Sequence, residues 1–190
     1  MLLHDEIFEQ PAVLATGLAE NVDAARTARA VLERADVSHA VIVARGTSDN
    51  AARYAKYVWG TKLGIPVTLA APSMYTRYQS PPDLSGAAVV AISQAGQSPD
   101  LIAVMETGKS QGRPTIGITN DPESPIGQLS DVVLPLHAAP ERSIAATKSY
   151  TTSLLAVAMI ATDSDDLQLV PDAVAASLER EPDVRMAVDR

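Results

Sequence analysis

Short, almost continuously apolar runs alternate along the chain with small or polar turns and stretches of helical spacing. Strands buried on both faces have this composition, because helices cover the two sides of a parallel sheet. The alternation of such strands with helices is typical of a parallel α/β sheet with right-handed crossovers. The predicted strands span residues 40–44, 67–70, 87–92, 115–118 and 132–134.

Apolar residues at helical spacing predict the helices that connect these strands. The predicted helices span residues 49–63, 99–111 and 148–161, with a short turn at 126–129. Residues 5–34 are predicted to form a short segment followed by helices, with a break at Pro11. Past residue 162 clustered aspartates interrupt the apolar pattern, and Pro171 opens a polar, alanine-rich stretch. Its helical part, 172–180, either packs on the sheet or leads toward a part of the protein outside these residues.

The chain is therefore predicted to have three parts. These are an N-terminal helical segment (1–35), a ligand-binding α/β domain (36–162), and a connector with a C-terminal helix (163–190). The net charge of -8 gives no general attraction for nucleic acid or an anionic membrane, and neither is an expected partner. No apolar run approaches the roughly 20 residues that span a bilayer, and acids stand where a signal peptide carries basic residues. We expect a cytoplasmic protein.

Several kinds of site are disfavoured by missing residues. The chain has no cysteine, which excludes disulfides, thiolate metal sites and a thiol nucleophile. No histidine pair has metal-ligand spacing, and neither the lysine-containing phosphate loop nor the dinucleotide glycine fingerprint is present. We expect no metal and no cofactor. Tyr54, Tyr57 and Trp59 lie on one predicted helix, where core or subunit contacts are a better interpretation than a stacking platform.

The loops after the strands carry the functional prediction, because open parallel sheets bind ligands outside the carboxyl ends of their strands. After the first strand, Gly46 permits a sharp turn and Thr47 or Ser48 is placed to cap the next helix. A helix cap alone explains this loop.

The loop at residues 93–98 places hydroxyl, amide and glycine residues directly before a helix. Unpaired N–H groups of a first helical turn, together with the positive end of the helix dipole, suit a phosphate. Ser93, Gln94 and Ser98 add side-chain donors, and Gly96 lets the backbone approach a ligand closely. Ser98 is also expected to cap the helix that begins at Pro99. A capped turn without a ligand explains the loop equally well.

A third segment, residues 141–152, places hydroxyls and Lys148 at another predicted helix start. A lysine there is unfavourable for the helix dipole. An anion or an acidic neighbour offsets that cost, although a lysine that extends into solvent is the commoner explanation. Glu141 is a candidate base, but a solvated glutamate or a pair with Arg142 is the more frequent arrangement.

These segments, in this order, resemble the sugar isomerase (SIS) domain family. Within it they are similar to the isomerase half of glutamine-fructose-6-phosphate aminotransferases and to its stand-alone relatives. The resemblance rests on EIFEQP at 6–11, RGTSDNAA at 45–52, YAKY at 54–57, SQAGQS at 93–98 and AATK at 145–148. It implies a three-layer αβα sandwich with a five-stranded parallel sheet in flavodoxin-like order and N-terminal helices packed on it. It also implies a phosphorylated hexose or amino sugar as ligand, and a homodimer.

The resemblance also implies the substrate-binding residues, which are Gly46, Thr47, Ser48, Ser93, Gln94, Ala95, Gly96, Ser98, Ile144 and Ala146. Ser93, Gln94 and Ser98 would hold the phosphate with help from Thr47, while Ser48, Ile144 and Ala146 would face the sugar. Ala95 and Ala146 stand where serines are usual in the aminotransferases. Each alanine removes one side-chain donor, and the loss of a hydrogen bond to a charged group weakens binding by about 1.5 to 3 kcal/mol.

Family members of this type usually carry two such domains, and the resemblance covers the first. Their glutamate base, ring-opening histidine and C-terminal lysine belong to the second, so no catalytic residue is assigned here. The alternatives are a fragment, a truncated paralogue, and a single-domain protein that pairs two copies. Three functions stay open: the phosphosugar-binding half of a ketose/aldose isomerase or aminotransferase/deaminase, a non-catalytic phosphosugar sensor, and a structural domain that only dimerises.

Overall fold

The computed structural model describes residues 2–188 of the chain. Its strands are β1 (His39–Ala44), β2 (Val67–Leu69), β3 (Ala87–Ser93), β4 (Thr115–Thr119) and β5 (Val132–Pro135). They form one parallel sheet in the order β2-β1-β3-β4-β5. The predicted fold class and flavodoxin-like strand order are thus confirmed. The predicted strand ends differ from the observed ones by no more than one residue.

Helices cover both faces of this sheet. They are α1 (Leu2–Phe8), α2 (Gln10–Glu20), α3 (Val22–Leu32), α4 (Thr47–Lys62), α5 (Pro72–Thr76), α6 (Pro99–Ser110), α7 (Pro125–Leu129), α8 (Lys148–Ala161), α9 (Val170–Leu178) and α10 (Glu181–Val188), with a 3-10 helix at Ser164–Leu167. Among residues 2–188, no helix has both the length and the apolar character required to cross a membrane.

Side chains of the strands alternate between two apolar cores, because successive residues of a strand point to opposite faces. Ala40 and Ile42 of β1 belong to the larger core, which packs against α2, α3, α4 and α8. Val41 and Val43 belong to the smaller core under α6 and α7. All seven residues of the central strand β3 are buried. This explains the continuous apolar runs in the sequence.

The N-terminal helices are interrupted at Glu9 rather than at Pro11. Pro11 lies in the first turn of α2, where the N–H that proline lacks has no helical partner in any case. The predicted break was therefore displaced by two residues. Asn21 directly follows α2, and its side-chain amide donates to the carbonyl of Pro135 at 2.7 Å, which ties this segment to the end of β5.

The helix α9 packs on α2, and its Val170 and Val174 contact the larger core. The predicted packing of residues 172–180 on the sheet is therefore replaced by packing on α2, and the alternative that they lead toward a part of the protein outside these residues stays untested. The helix begins two residues earlier than predicted, with Pro171 in its first turn. The chain therefore continues past the sheet into a layer that covers the N-terminal helices.

Trp59 joins α4 to α8 in the larger core. Its side chain is fully buried, and its indole N–H donates to the carbonyl of Val157 at 3.0 Å. Tyr54 and Tyr57 of the same helix are exposed. The interpretation of these aromatics as core or subunit contacts is confirmed for Trp59, while the two tyrosines lie on the surface.

Candidate functional site

A polar cleft of about 290 Å³ lies at the carboxyl ends of β1 and β3. The chain leaves β1 toward β2 on one side of the sheet, and β3 lies on the other side. Ligands of doubly wound sheets bind where the strand order reverses in this way. The cleft is lined by Arg45, Thr47, Ser48, Ile92, Ser93, Gln94, Ala95, Ser98, Leu101, Ile144, Ala146, Ser149 and Tyr150.

The three loops predicted to carry chemistry meet at this cleft. Thr47, Ser48, Ser93, Gln94, Ala95, Ser98, Ile144 and Ala146 line it, while Gly46 and Gly96 lie within the turns that carry them. The predicted set omitted Arg45, Ile92, Leu101, Ser149 and Tyr150. The last two occupy the first turn of α8, so helical geometry after Thr147 was the available signal for them.

In the first loop, Gly46 has a φ of 55°, a conformation that favours glycine. α4 begins at Thr47, with Gly46 as its N-cap and no side-chain cap bond. The expectation that Thr47 or Ser48 caps this helix was therefore wrong, because both already lie in its first turn. Their position leaves both side chains on the wall of the cleft.

In the second loop, Gly96 packs closely against Ser124. It has a φ of 64°, and a Cβ atom on it would lie 1.9 Å from the Ser124 hydroxyl oxygen. Its N–H donates to the Ser93 hydroxyl at 3.2 Å, and its carbonyl accepts from the N–H of Ile126 at 3.1 Å. The close approach to Ser124 is a second reason for glycine here, and the role of Gly96 in close backbone approach to a ligand stays a prediction.

Donors remain unpaired at the start of α6. Within residues 2–188, no protein acceptor is found for the backbone N–H groups of Ala95, Gln97 and Ser98. Ser98 is the N-cap residue, as predicted, but its side chain makes no cap bond. These donors stand at the positive end of the α6 dipole, which together with orphan N–H groups suits an anion.

Arg45 adds a positive charge at the mouth of the cleft. Its guanidinium donates to the Asp100 carboxylate at 2.9 Å, and the two side chains are 68% and 20% exposed. A solvent-exposed pair of this kind contributes little to stability, about 0 to 1 kcal/mol. It does orient the guanidinium, since Asp100 is fixed in the first turn of α6.

The third loop is organised by Glu141. Its carboxylate accepts from the Thr147 N–H at 2.7 Å, from the Thr147 hydroxyl at 2.8 Å, and from the Ser149 hydroxyl. It also accepts from the Gln94 amide at 3.3 Å, which links the third loop to the second. The predicted alternatives of a solvated glutamate or a pair with Arg142 were therefore wrong.

Burial raises the pKa of Glu141, but the hydrogen bonds from Ser149 and Thr147 outweigh burial, and the pKa is lowered from its ordinary value. A carboxylate that already accepts several hydrogen bonds is a poor proton acceptor at neutral pH. Glu141 therefore acts as a structural anchor of the loop in this arrangement, and the geometry does not favour a role as base.

Lys148 lies in the interior instead of extending into solvent. It is 1% exposed, and its ammonium donates to the Glu9 carboxylate. The acidic-neighbour alternative is therefore the observed one, and the commoner solvent-exposed alternative was wrong. Glu9 comes from the junction between α1 and α2, so the start of α8 is tied to the N-terminal helices.

Glu141→Gln is expected to lower the free energy of unfolding at pH 7 by about 1 to 3 kcal/mol, because an ionised acceptor is lost. The lowered pKa means that this contribution is complete above pH 4.5, the ordinary value, and disappears as pH falls through the lower folded value. Urea unfolding of both proteins between pH 7 and pH 3 should show the difference narrowing on acidification. Glu106→Gln, at an exposed position of α6, is the matched control. A Glu141→Gln difference that stays constant with pH would contradict this role.

No His, Cys, Asp or Glu group of three or more in residues 2–188 has an arrangement that could hold a metal ion. His39 lies at the start of β1, at the opposite end of the strand from the cleft, and His137 lies in the connection after β5. Neither side chain lines the cleft. The side chains around it are suited to hydrogen bonding and to the binding of an anion.

The fold and the cleft define a doubly wound α/β domain with a small polar binding site at the carboxyl ends of its strands. Residues 35–163 match the family described as SIS domain. The chain belongs to the SIS domain family, which confirms the resemblance seen in the loop motifs.

Relatives and solved structures agree with this membership. The chain is 32% identical over 164 residues to the glutamine--fructose-6-phosphate aminotransferase [isomerizing] of Zymomonas mobilis, with 84% of this chain and 27% of that protein covered. A phosphosugar isomerase candidate from Silicibacter pomeroyi DSS-3 superposes with a TM-score of 0.90 at 32% identity, covering 100% of this chain and 60% of that one. The C-terminal domain of glucosamine-fructose-6-phosphate aminotransferase from Francisella tularensis gives 0.75 at 27% identity, covering 98% and 54%. The chain thus spans about a quarter of the length of the curated relatives it matches.

Proposed function

We propose that the chain binds the phosphate of a hexose or amino-sugar 6-phosphate in the cleft between β1 and β3. The observation that carries the proposal is the set of three unpaired N–H groups, on Ala95, Gln97 and Ser98, at the start of α6. The Ser98 hydroxyl has no partner within residues 2–188, and Thr47 lines the same cleft. The names of the relatives, which act on fructose 6-phosphate or are assigned as phosphosugar isomerases, support the same ligand class.

The remaining wall suits the sugar. Ser48 and Ser149 offer hydroxyls, while Ile144 and Ala146 offer apolar surface for a ring face. Ala95 keeps its backbone donor although it lacks a serine hydroxyl. The site therefore loses side-chain bonds at Ala95 and Ala146 without losing its backbone donors, and we expect weakened but measurable binding.

The cleft has donors for a phosphate but no base that could serve in catalysis among the described residues. Proton transfer beside a carbonyl needs a base within hydrogen-bond reach of the proton. No carboxylate or imidazole lines the cleft in the described part of the chain. We therefore propose that turnover, as an isomerase or aminotransferase/deaminase, requires a second domain or a second copy of the chain. A homodimer and a cytoplasmic location remain proposals drawn from the family.

Hexose 6-phosphates are expected to stabilise the protein, whereas the unphosphorylated hexoses are not. A ligand at 100 times its Kd adds about 2.7 kcal/mol, which corresponds to about 5 to 10 °C in Tm for a chain of this size. Thermal unfolding with fructose 6-phosphate, glucosamine 6-phosphate, fructose, glucosamine and inorganic phosphate measures this. No shift with any sugar phosphate would refute the proposal.

Ser98→Ala is expected to weaken sugar phosphate binding by roughly 10- to 100-fold, since a hydroxyl bond to a charged group contributes about 1.5 to 3 kcal/mol. Ser110→Ala is the matched control, because Ser110 lies at the other end of α6 and donates only to the carbonyl of Thr107. Calorimetric titration with fructose 6-phosphate compares the two variants. Equal affinities of the Ser98→Ala and Ser110→Ala variants for fructose 6-phosphate would mean that Ser98 does not contact the phosphate.

A non-catalytic sensor is the second candidate, and the absence of a base from the cleft lining in residues 2–188 favours it. Proton NMR of fructose 6-phosphate in D₂O with the protein tests for a base. Binding without exchange of the C1 protons for deuterium is the result expected of a sensor and also of an enzyme domain whose base comes from a second domain. Exchange catalysed by residues 1–190 would instead reveal a base supplied within the chain or by a second copy.

A further inference from the structure

The loop that forms the sugar-facing wall has almost no backbone support of its own. No backbone-to-backbone hydrogen bond involves residues 140–146 in the part of the chain that the structure describes. The side chain of Ile144 is fully exposed there. An unsupported loop of this kind samples many conformations unless other groups fix it.

Glu6 supplies the missing acceptor from a helix far away in sequence. Its side chain is 3% exposed. Its carboxylate accepts from the Arg142 N–H at 2.6 Å and from the Ser143 N–H at 3.1 Å. These two N–H groups immediately precede Ile144, so the carboxylate fixes the backbone at the point where the loop enters the cleft wall.

The same N-terminal region also fixes the other end of the loop. Glu9 accepts from the buried ammonium of Lys148, which begins α8 directly after the loop. Glu6 and Glu9 are one helical turn apart in sequence, and they contact the two ends of residues 142–148. The intervening Ile144 and Ala146 are therefore held between two contacts with the N-terminal helices.

Glu6 has the charge state that this arrangement needs. The N–H of Arg142, followed by Ser143, lowers the pKa of Glu6 against the opposing effect of burial. The carboxylate is therefore ionised at neutral pH, and both N–H groups donate to a charged acceptor, which makes the stronger class of hydrogen bond.

We propose that Glu6 is a positioning residue for ligand binding, which holds the loop at 142–146 as a wall of the cleft. The inference rests on the proposed phosphosugar site, since it concerns the affinity of that cleft. α1 then has a function beyond packing: its carboxylate replaces the backbone partners that the loop lacks, and ligand affinity depends on it without direct contact.

The test uses Glu6→Ala and Glu6→Gln in the full chain, with Glu20→Ala as the matched control. Glu20 is exposed on the neighbouring helix α2, and the described residues give its side chain no polar partner. Amide hydrogen exchange measures how well the loop backbone is protected, and calorimetric titration with fructose 6-phosphate at 10 °C measures the Kd of the cleft. For Glu6→Ala we expect exchange at Arg142 and Ser143 to accelerate at least tenfold and the Kd to rise about tenfold. Glu20→Ala should change neither.

The variants also separate positioning from general stability. Glu6→Gln keeps one acceptor oxygen, so its Kd for fructose 6-phosphate should lie between those of wild type and Glu6→Ala. If Glu6→Ala does not fold, Glu6→Gln alone tests whether Glu6 affects ligand affinity. A folded variant whose Arg142 and Ser143 amides exchange faster while its Kd stays at the wild-type value would overturn the inference, because Glu6 would then be purely structural. If the wild-type protein binds no sugar phosphate, the proposed function itself is refuted. That result differs from a variant with faster amide exchange and an unchanged Kd, which refutes only the role of Glu6.

Discussion

Gly96→Ala is expected to lower the free energy of unfolding by about 2 to 5 kcal/mol and to abolish measurable sugar phosphate binding. Two effects add: a non-glycine residue at a φ of 64° is strained, and the new Cβ would lie 1.9 Å from the Ser124 hydroxyl oxygen and 2.5 Å from the Ser124 Cβ. Strained backbone costs about 1 to 3 kcal/mol, and overpacking costs a similar amount. Urea unfolding at pH 7 measures the sum.

Gly112→Ala separates the two effects. Gly112 has a φ of 67°, close to that of Gly96, but no atom lies within 4 Å of the position its Cβ would take. This variant should show the backbone cost alone, about 1 kcal/mol or slightly more, with unchanged affinity for fructose 6-phosphate. If both variants lose the same stability, the contact with Ser124 is not the reason for glycine at position 96.

Binding is affected because Gly96 and Gln94 hold the loop at residues 93–98 against β4 and α7. The N–H of Gly96 donates to Ser93, its carbonyl accepts from Ile126, and the carbonyl of Gln94 accepts from the N–H of Asn120 at 3.0 Å. A shift of Gly96 away from Ser124 moves the neighbouring N–H groups of Ala95 and Gln97. Convergent donors lose affinity quickly when displaced, since hydrogen bonds weaken steeply with misalignment.

The sheet can be predicted from sequence because its strands are buried on both faces. Each strand is a continuous apolar run, and the topology then fixes which loops meet at the carboxyl edge. For this reason the topology points to the loops after the strands, whereas the assignment of Thr47, Ser93 and Ile144 to one site came from the resemblance to the SIS domain family. The single-turn helix α5 (Pro72–Thr76) was not predicted, since five residues are too few for helical periodicity to appear.

The contacts that shape the site could not be read from local pattern. Glu6 reaches Arg142 across 136 positions, and Lys148 reaches Glu9 across 139. Sequence alone left Lys148 either extended into solvent or beside an anion or an acidic neighbour, and it left Glu141 either solvated or paired with Arg142. Proximity in sequence favoured that pair, but Glu141 accepts instead from the backbone and hydroxyl groups at the start of α8. The role of Gly96 was likewise hidden, because Ser124 lies 28 residues away in a different loop.

Glu9→Ala is expected to destabilise the protein by about 2 to 4 kcal/mol, whereas Lys148→Met should cost less than about 1 kcal/mol. Removing one partner of a buried pair costs about 3 to 5 kcal/mol because the other charge stays buried and uncompensated, while an apolar replacement is often neutral. The two sides of this pair are unequal: the Lys148 side chain is 1% exposed and that of Glu9 is 50% exposed. Glu9 without its partner can be solvated in place, but the Lys148 ammonium cannot.

The double variant makes the asymmetry decisive. Once Lys148 is Met, the buried ammonium that needs Glu9 as its partner is gone. Adding Glu9→Ala should then cost no more than a few tenths of a kcal/mol, and the pair should show a coupling energy of about 2 kcal/mol. Loss of a cation at the start of α8 also removes an unfavourable interaction with the helix dipole. Urea unfolding at pH 7 of wild type, both single variants, the double variant and the exposed control Glu20→Ala gives the cycle. The opposite result would be a Glu9→Ala variant that loses no more stability than Glu20→Ala. In that case the Lys148 ammonium finds water or another acceptor, and the N-terminal helices hold the start of α8 by apolar packing alone.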